Sequence, residues 1–416
     1  MDRELVVHVD LGGHAVRCGR LFARTRPRES SSFEYDDVWL SRRDAFALDP
    51  DLPLARGAFH SRGALFRAFT DPAPDRWGQT LLRRIERRTA KRERRAARTL
   101  FAVDFLVLVD DQTRMGALRF KDASAGADAP FLTARSPVPP LIALPKLLGA
   151  TARIVADEEK DEDLALVLAP GTSLGGARPK ASVVGADGKL LVAKFPRKDD
   201  EIPVTRWEAI CLSLAAAAGI RVAAHRLEMI AKQPVLLLDR FDRTPGRVPT
   251  MSAMTALSAN DGDARSYLDV AGAIRREGAR PRDDLAELFR RMAFNVLVSN
   301  TDDHLRNHAF VRERKGWTLS PAYDLNPVPV DIRPRVHALA LGANGEEDAS
   351  FETVLESAAA FGLSTTEARA IGKQVASATA RWRTIAKKHG LSTAQIERME
   401  SAFEHDDLRR ARSGVR

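Results

Sequence analysis

Apolar and polar residues alternate from the first positions of the chain. Leu5 to Val9 reads as a strand, Gly12-Gly13 as a turn, Ala15 to Phe22 as a second strand and Phe33 to Leu40 as a third. A Pro-containing connection around Asp49 to Leu54 follows, then Phe59 to Ala68. Asp71-Pro-Ala-Pro-Asp-Arg-Trp-Gly-Gln then reads as a loop capping a helix from Thr80. Phe101 to Asp110 and Met115 to Phe120 are two more strand-like runs, and the Ala, Gly and Pro of Asp122 to Pro140 mark the principal linker. Leu141 to Ala150 predicts a helix, and the acidic stretch Asp157 to Asp163 predicts a solvated helix face.

Strands return at Ala181 to Val184 and Leu190 to Phe195, turned at Gly188. A helix at Trp207 to Ala218 and a strand pair at Arg221 to Ile230 and Pro234 to Leu238 follow. Leu285, Leu288, Phe289, Met292, Ala293, Val296 and Leu297 step by three and four, the mark of a helix with one buried face. His308 to Arg314 and Trp317 to Ser320 read as two short strands around Lys315-Gly316. Beyond them Ser350 to Ala360, Ser364 to Lys388 and Ser392 to Ala402 predict helices. Ser364 with Glu367 and Ser392 with Gln395 have capping-box spacing. Arg409 to Arg416 reads as a basic, disordered tail. The pattern is α+β, with a β-rich first part and a helical last part, divided at 1–135, 136–245 and 246–416.

A chain of 416 residues with 44% hydrophobic content has ample material for two or three cores. The excess of 65 basic over 56 acidic residues gives +9, and the pI is near 9.8. That balance permits contact with nucleic acid or an acidic protein without requiring it, since an Arg-rich composition also follows from a GC-rich genome. Much of the charge sits at Arg83, Arg84, Arg87, Arg88, Lys91, Arg92, Arg94, Arg95 and Arg98. Either this is a polyanion-binding surface or a solvated helix with Glu86 and Glu93 as internal partners. No aromatic residues interleave, so stacking on single strands is not expected. Cys18 and Cys211 form no metal or redox spacing, and the longest apolar run, Ala209 to Ile220, is about half of a membrane span. With no apolar signal-peptide core near the start, a cytoplasmic protein without membrane contact is expected.

The candidate chemistry centres on the end of the Leu285 to Leu297 helix. Asp302, then Asn307 five residues on, then a hairpin leading to Asp324 is the catalytic spacing of a protein kinase. In that arrangement the first Asp orients and deprotonates a hydroxyl, and the Asn and second Asp hold magnesium. Upstream, Pro170-Gly-Thr-Ser173-Leu-Gly175-Gly176-Ala177-Arg178-Pro179-Lys180 is a glycine-bearing loop able to approach phosphate oxygens closely. It is not a Walker A loop. Lys194, in the apolar strand after it, is either an edge-strand lysine pointing to water or a buried cation with anionic partners, and the kinase arrangement provides two, the nucleotide phosphates and a helix glutamate such as Glu208. The strand exit Asp239-Arg240-Phe241-Asp242-Arg243 suits a hinge over adenine, or equally a solvated sheet edge. His304 and His308 are four apart, but no Glu follows His304, so zinc-protease chemistry is rejected. Ser-His-Asp hydrolysis is rejected too for want of a Gly-x-Ser-x-Gly elbow.

These motifs in this order resemble the HipA-type serine/threonine kinases of bacterial toxin–antitoxin modules. The loop from Ser173 to Lys180, the strand lysine Lys194, Leu238-Asp239-Arg240-Phe241-Asp242-Arg243, Asp302-Asp-His304-Leu-Arg-Asn307 and Tyr323-Asp324 carry the likeness. Leu52-Pro-Leu-Ala-Arg-Gly and Pro74-Asp-Arg-Trp extend it to the N-terminal part. The resemblance implies a protein-kinase-like bilobal fold, in which a HipA-like N-terminal subdomain precedes the kinase core. It further implies ATP- and Mg²⁺-dependent phosphorylation of a protein serine or threonine to arrest growth. The best-known members act on an aminoacyl-tRNA synthetase. Asp302 would be the base, Asn307 and Asp324 the metal ligands, Lys194 a phosphate clamp and the 175–180 loop a phosphate cradle. Asp239, Arg240, Phe241, His304 and Tyr323 would complete the nucleotide site, with Glu208 and Arg306 in support. Ser173 would be an autophosphorylation switch, and a helix-turn-helix antitoxin the partner, with DNA contacted indirectly or through the basic surface. The chain departs from the family in having two loop glycines, Asp303 for Gly, Arg306 for Lys and Asp239 for a hinge Glu. A small-molecule kinase and a non-catalytic antitoxin- or operator-binding module are the alternatives.

Overall fold

The alternating start of the chain builds a five-stranded sheet in the order Ala58–His60, Ser30–Tyr35, His14–Arg24, Arg3–Leu11, Leu118–Asp122. Leu5, Val7 and Val9 share one face and are fully buried, as the period of two requires. This computed structural model describes residues 2–126, 128–133, 138–168, 178–243 and 246–413. The chain divides into two units, Met1–Lys198 with Glu228–Met251 and Asp199–Leu227 with Ser252–Arg416.

Two strand expectations in the first unit are corrected. The third strand stops at Tyr35, because the Asp36 side chain accepts from the Val38 amide and caps a short helix, Asp37–Leu40. Phe101 to Asp110 is not a strand but contains the helix Ala102–Leu108. An apolar run of that length fits a buried helix as well as a strand. Here the ends decide. Asp104 turns back to accept from the Phe101 amide at 3.1 Å, and buried Arg114 satisfies the Leu106 and Val109 carbonyls at 2.7 and 2.8 Å.

The second sheet of this unit runs Lys180–Val184, Leu190–Lys194, Gln233–Asp239, His225–Ile230. Ala181, Val183, Leu191, Ala193, Val235 and Leu237 pack against the helices Arg76–Arg92, Leu144–Val155 and Asp161–Leu168. The basic helix begins at Arg76, one turn earlier than expected, because Asp75 caps it through the Gly78 amide at 2.8 Å. The acidic stretch 157–163 is not simply solvated. Glu159 is buried and receives Arg84 at 3.0 Å and Arg88 at 3.1 Å. Glu86 takes Arg95 and Arg98, so much of the helix's charge is neutralised within the unit. The described parts of the expected linker are held down as well. The Leu132 amide donates to Phe120 O, the Arg119 guanidinium lies 3.6 Å over the Phe131 ring, and the Val184 amide donates to Pro139 O.

The second unit is organised on the helix Pro281–Leu297, whose Leu288, Phe289, Met292, Ala293, Phe294, Val296 and Leu297 are all fully buried. The hairpin Ala309–Glu313 and Gly316–Leu319 follows it. A Cβ on Gly316 would lie 2.6 Å from the Glu277 carbonyl oxygen, so only glycine lets the hairpin approach that close. Trp207, Trp382 and Phe403 form an aromatic cluster, the last two stacked at 4.6 Å. Both capping boxes are present. The expected Ser364 to Lys388 helix breaks into Thr365–Thr379 and Trp382–Lys388. The described part of the expected disordered tail is helical, Asp406–Ser413, with Leu408 and Ala411 buried.

Candidate active site

The Pro281–Leu297 helix ends in a run of buried polar residues, Ser299, Asn300 and Thr301, which have no place in an apolar core without partners. The partners of Ser299 and Asn300 fasten a second segment alongside. The Asn326 amide donates to Asn300 Oδ1 at 3.3 Å and the Val328 amide to Ser299 O at 3.1 Å. The Tyr323 hydroxyl donates to the Arg306 carbonyl at 2.7 Å. Residues 323–328 therefore run beside residues 299–307, which brings Asp302, Asn307 and Asp324 onto adjoining stretches of one unit. Asp324 holds a φ of +56°, an uncommon conformation for a residue with a side chain. Such strain concentrates at functional positions.

Consecutive residues Asp302 and Asp303 point in opposite directions. The Asp302 side chain is 63% exposed and meets Arg333 Nη1 at 2.6 Å. Asn307 is buried, and its Nδ2 donates to the Asp302 carbonyl at 3.2 Å. That bond fixes the amide so that Oδ1, the oxygen able to bind a hard cation, is the atom left over. Asp303 turns inward instead. Its Oδ2 accepts from the Tyr267 hydroxyl at 2.5 Å and from Asn295 Nδ2 at 2.9 Å, and lies 2.7 Å from His308 Nε2. Burial pushes the Asp303 carboxyl up, but the His308 imidazole and the Tyr267 hydroxyl outweigh it and hold the group below the usual carboxylate range. Burial and the adjacent Asp303 push the Tyr267 phenol well above its ordinary value.

Asp303 is thus the anchor of the loop, a role that its sequence position, a departure from the family pattern, does not announce. The polar residues Tyr267 and Asn295 in otherwise apolar helical stretches were the available signal. His308 is spent on this anchor, and His304 is half-buried with its Nδ1 unpartnered among the described residues. Among the described residues no three or more His, Cys, Asp or Glu side chains are grouped so that they could hold a metal ion. The Arg306 guanidinium pairs with Asp261 at 3.2 Å near the surface. Glu208 is buried on the helix Val204–Ala217 of this same unit.

In the first unit Lys194 stands directly across from Lys180 in the antiparallel ladder, so both side chains leave the same face of the sheet. Lys180 is buried and pairs with Asp75 at 2.7 Å, which ties the strand to the cap of the Arg76–Arg92 helix. Its ammonium thus has a partner within the fold, beside the place in the phosphate cradle that the resemblance implies for it. Pro179 is buried, its carbonyl accepting from the Phe195 amide at 3.0 Å, and Arg178 and Phe241 are half-buried. Asp239 closes its strand opposite Leu191. Arg240, expected at a nucleotide hinge, uses its side chain for contacts within the unit. Its guanidinium grips Asp242 at 2.6 and 2.8 Å and the Thr113 carbonyl at 2.5 Å, and its amide donates to Leu190 O. Asp242, fully buried, also takes the Gly116 amide at 2.7 Å and Arg243 at 2.5 Å. This part of the Arg-Phe-Asp-Arg motif is an internal clamp on residues 113–116. Ser173, Gly175, Gly176 and Ala177 lie outside the described residues.

The profile of the HipA-like C-terminal domain matches residues 172–382, just over half of the chain, and that of the HipA N-terminal domain matches residues 9–121. The chain belongs to the HipA family. One relative, the putative kinase Y4mE of Sinorhizobium fredii, is 29% identical over 175 residues, 37% of this chain and 41% of that protein. The toxin YjjJ of Escherichia coli is 24% identical over 170 residues, 38% of each. The chain thus spans about two-fifths of the length of these two relatives. A solved HipA from the Shewanella oneidensis toxin–antitoxin system, in complex with HipB and operator DNA, superimposes with a TM-score of 0.65. It covers 99% of this chain and 96% of that one at 16% identity. The fold is therefore that of HipA, the α+β, two-lobed kinase-like architecture expected from the motifs. No helix among the described residues is long and apolar enough to cross a membrane.

Proposed function

We propose that this HipA-family chain is an ATP- and Mg²⁺-dependent protein kinase that phosphorylates a serine or threonine of a cellular protein and thereby arrests growth. The observation that carries the reading is the fastening of the Asp324 segment beside the Asp302–Asn307 segment through Tyr323 and Asn300. The donor set fits magnesium. Asn307 Oδ1 and the Asp324 carboxylate are hard oxygen donors, and Mg²⁺ needs only one or two protein ligands when phosphates supply the rest. Bound there, Mg²⁺ would neutralise charge on the nucleotide phosphates.

The side chains divide the work. Asp302, exposed and hydrogen-bond competent, orients the incoming hydroxyl and takes its proton as the new O–P bond forms and the bond to ADP breaks. An exposed base can be reached by a hydroxyl carried on a macromolecule, which favours a protein substrate over a metabolite. Lys194, half-buried on its strand, serves as the phosphate clamp, with the 175–180 loop as cradle. Phosphorylation of Ser173 would add nearly two negative charges to a loop that must approach phosphate oxygens, and so would switch the enzyme off. By analogy with the HipA–HipB–DNA assembly, a helix-turn-helix antitoxin would bind the chain.

The test is transfer of labelled γ-phosphate to proteins of a cell extract by wild type and Asp302→Asn, with phosphosite mapping of the kinase itself. The reading predicts labelled serine or threonine in wild type, none in the variant, and Ser173 as the modified residue. Equal labelling by both proteins refutes the assigned base. Full activity in a Ser173-phosphorylated preparation refutes the switch.

A further inference from the structure

The carboxylate assigned as the base is not open on all sides. Arg333 Nη1 sits 2.6 Å from Asp302 Oδ1, and both side chains are substantially exposed, 43% and 63%. A pair so placed is held weakly, because water competes for both charges. The arginine projects from a tight turn in which the Ile332 and Arg333 amides donate to Pro329 O at 3.0 and 3.1 Å. That turn is fixed in advance. Asp331 receives the Arg398 fork at 2.8 and 2.9 Å, and the Val330 amide donates to Ser401 Oγ at 3.2 Å. Two residues on, Arg335 is fastened to Asp407 at 2.8 Å, to the Val296 carbonyl at 3.0 Å and to Ser299 Oγ at 3.1 Å. Yet three large apolar side chains of this rigid stretch, Val330, Ile332 and Val336, stand exposed.

A pre-formed turn that shows aliphatic side chains to solvent, next to a cation resting weakly on the catalytic carboxylate, has the makings of a peptide-docking ledge. We propose that residues 329–336 bind the protein substrate and that Arg333 guards Asp302 until a substrate acid draws it away. The occupant is an extended segment with an aliphatic residue and an acidic residue flanking its serine or threonine. The aliphatic side chain covers Val330 and Ile332. The acidic side chain exchanges with Asp302 for Arg333, which frees Oδ1 to receive the hydroxyl. A segment without the acid leaves the guard in place and reacts poorly. This inference rests on the kinase reading for the role of Asp302, but the docking it describes is measurable without catalysis.

The experiment uses the full chain and short fluorescent serine-centred peptides on an alanine background, carrying leucine together with either glutamate or lysine near the serine. Binding is followed by anisotropy without nucleotide, and phosphorylation of the same peptides with ATP and Mg²⁺. The Glu peptides should bind about tenfold more tightly than the Lys peptides. Arg333→Glu should reverse that order, and Val330→Asp with Ile332→Asp should weaken every leucine peptide about tenfold. Because these side chains are exposed, the variants should keep the wild-type thermal midpoint. An unaltered preference in Arg333→Glu, undiminished binding by the double variant, or no peptide binding to wild type overturns the ledge. Charge-selective binding that Arg333→Glu reverses, with no phosphate transferred to any peptide, upholds the ledge and refutes the kinase reading. Transfer to all peptides without charge preference does the opposite.

Discussion

Replacing Asp303 with alanine should unfold what replacing Asp302 leaves standing, although the two residues are adjacent and chemically identical. Asp303 is buried and receives the Tyr267 hydroxyl, Asn295 Nδ2 and the His308 imidazole within 2.5–2.9 Å. Alanine there takes the shared partner from three buried polar groups, the His308 imidazole among them, a loss of about 3–5 kcal/mol. Against a typical total of about 5–15 kcal/mol, that is a large fraction. Asp302 loses only an exposed pair with Arg333, worth less than about 1 kcal/mol. Guanidinium unfolding followed by far-UV circular dichroism and tryptophan fluorescence gives both values. Asp303→Ala should move the midpoint far down, and Asp302→Ala should fall within error of wild type while losing phosphoryl transfer. Equal midpoints for the two variants would refute the inward and outward assignment of these carboxylates.

Acid should weaken the fold through His337, which is buried with neither ring nitrogen partnered among the described residues and whose pKa burial pushes down to about 4. Stability is then full above the ordinary value of 6.5 and lost as pH falls from 6.5 towards 4, by about 3 kcal/mol at most. Denaturation titrations between those limits should show the slope, and His337→Leu should flatten it. In the first unit, Asp242→Ala frees Arg240, Arg243 and the Gly116 amide together and should cost about 3–5 kcal/mol, read from the same denaturation curves. Gly316→Ala should lower the thermal midpoint measurably, since the added methyl meets the Glu277 backbone rather than a side chain that can yield.

The short-range features of this protein were legible in its sequence. Alternation marked the first two strands, Ser364 and Ser392 announced their capping boxes, and the Asp302–Asn307 spacing with Asp324 after a hairpin placed three candidate groups on one unit. What stayed hidden depends on contacts between distant positions. The residue type does not distinguish Asp303 from Asp302, because the inward turn of Asp303 is decided by Tyr267, 36 residues before it, and by Asn295 and His308, which meet it only in the folded chain. Phe101 to Asp110 read as a strand because its apolar run has no decisive period. The carbonyls that end its helix are satisfied by Arg114, a residue outside the run. The loop and strand-exit motifs assign Lys180 and Arg240 to the ligand and carry no sign of partners within the protein. Their partners, Asp75 and Asp242 with the Thr113 carbonyl, are supplied by the protein itself.

Titration calorimetry of ATP into unmodified protein, with and without Mg²⁺, beside the same titration of Asp324→Ala, tests the central claim most directly. The account predicts saturable heat that requires Mg²⁺ in wild type and its loss in a variant that remains folded by circular dichroism. A flat trace for wild type with Mg²⁺, or identical Mg²⁺-dependent binding by Asp324→Ala, would contradict it.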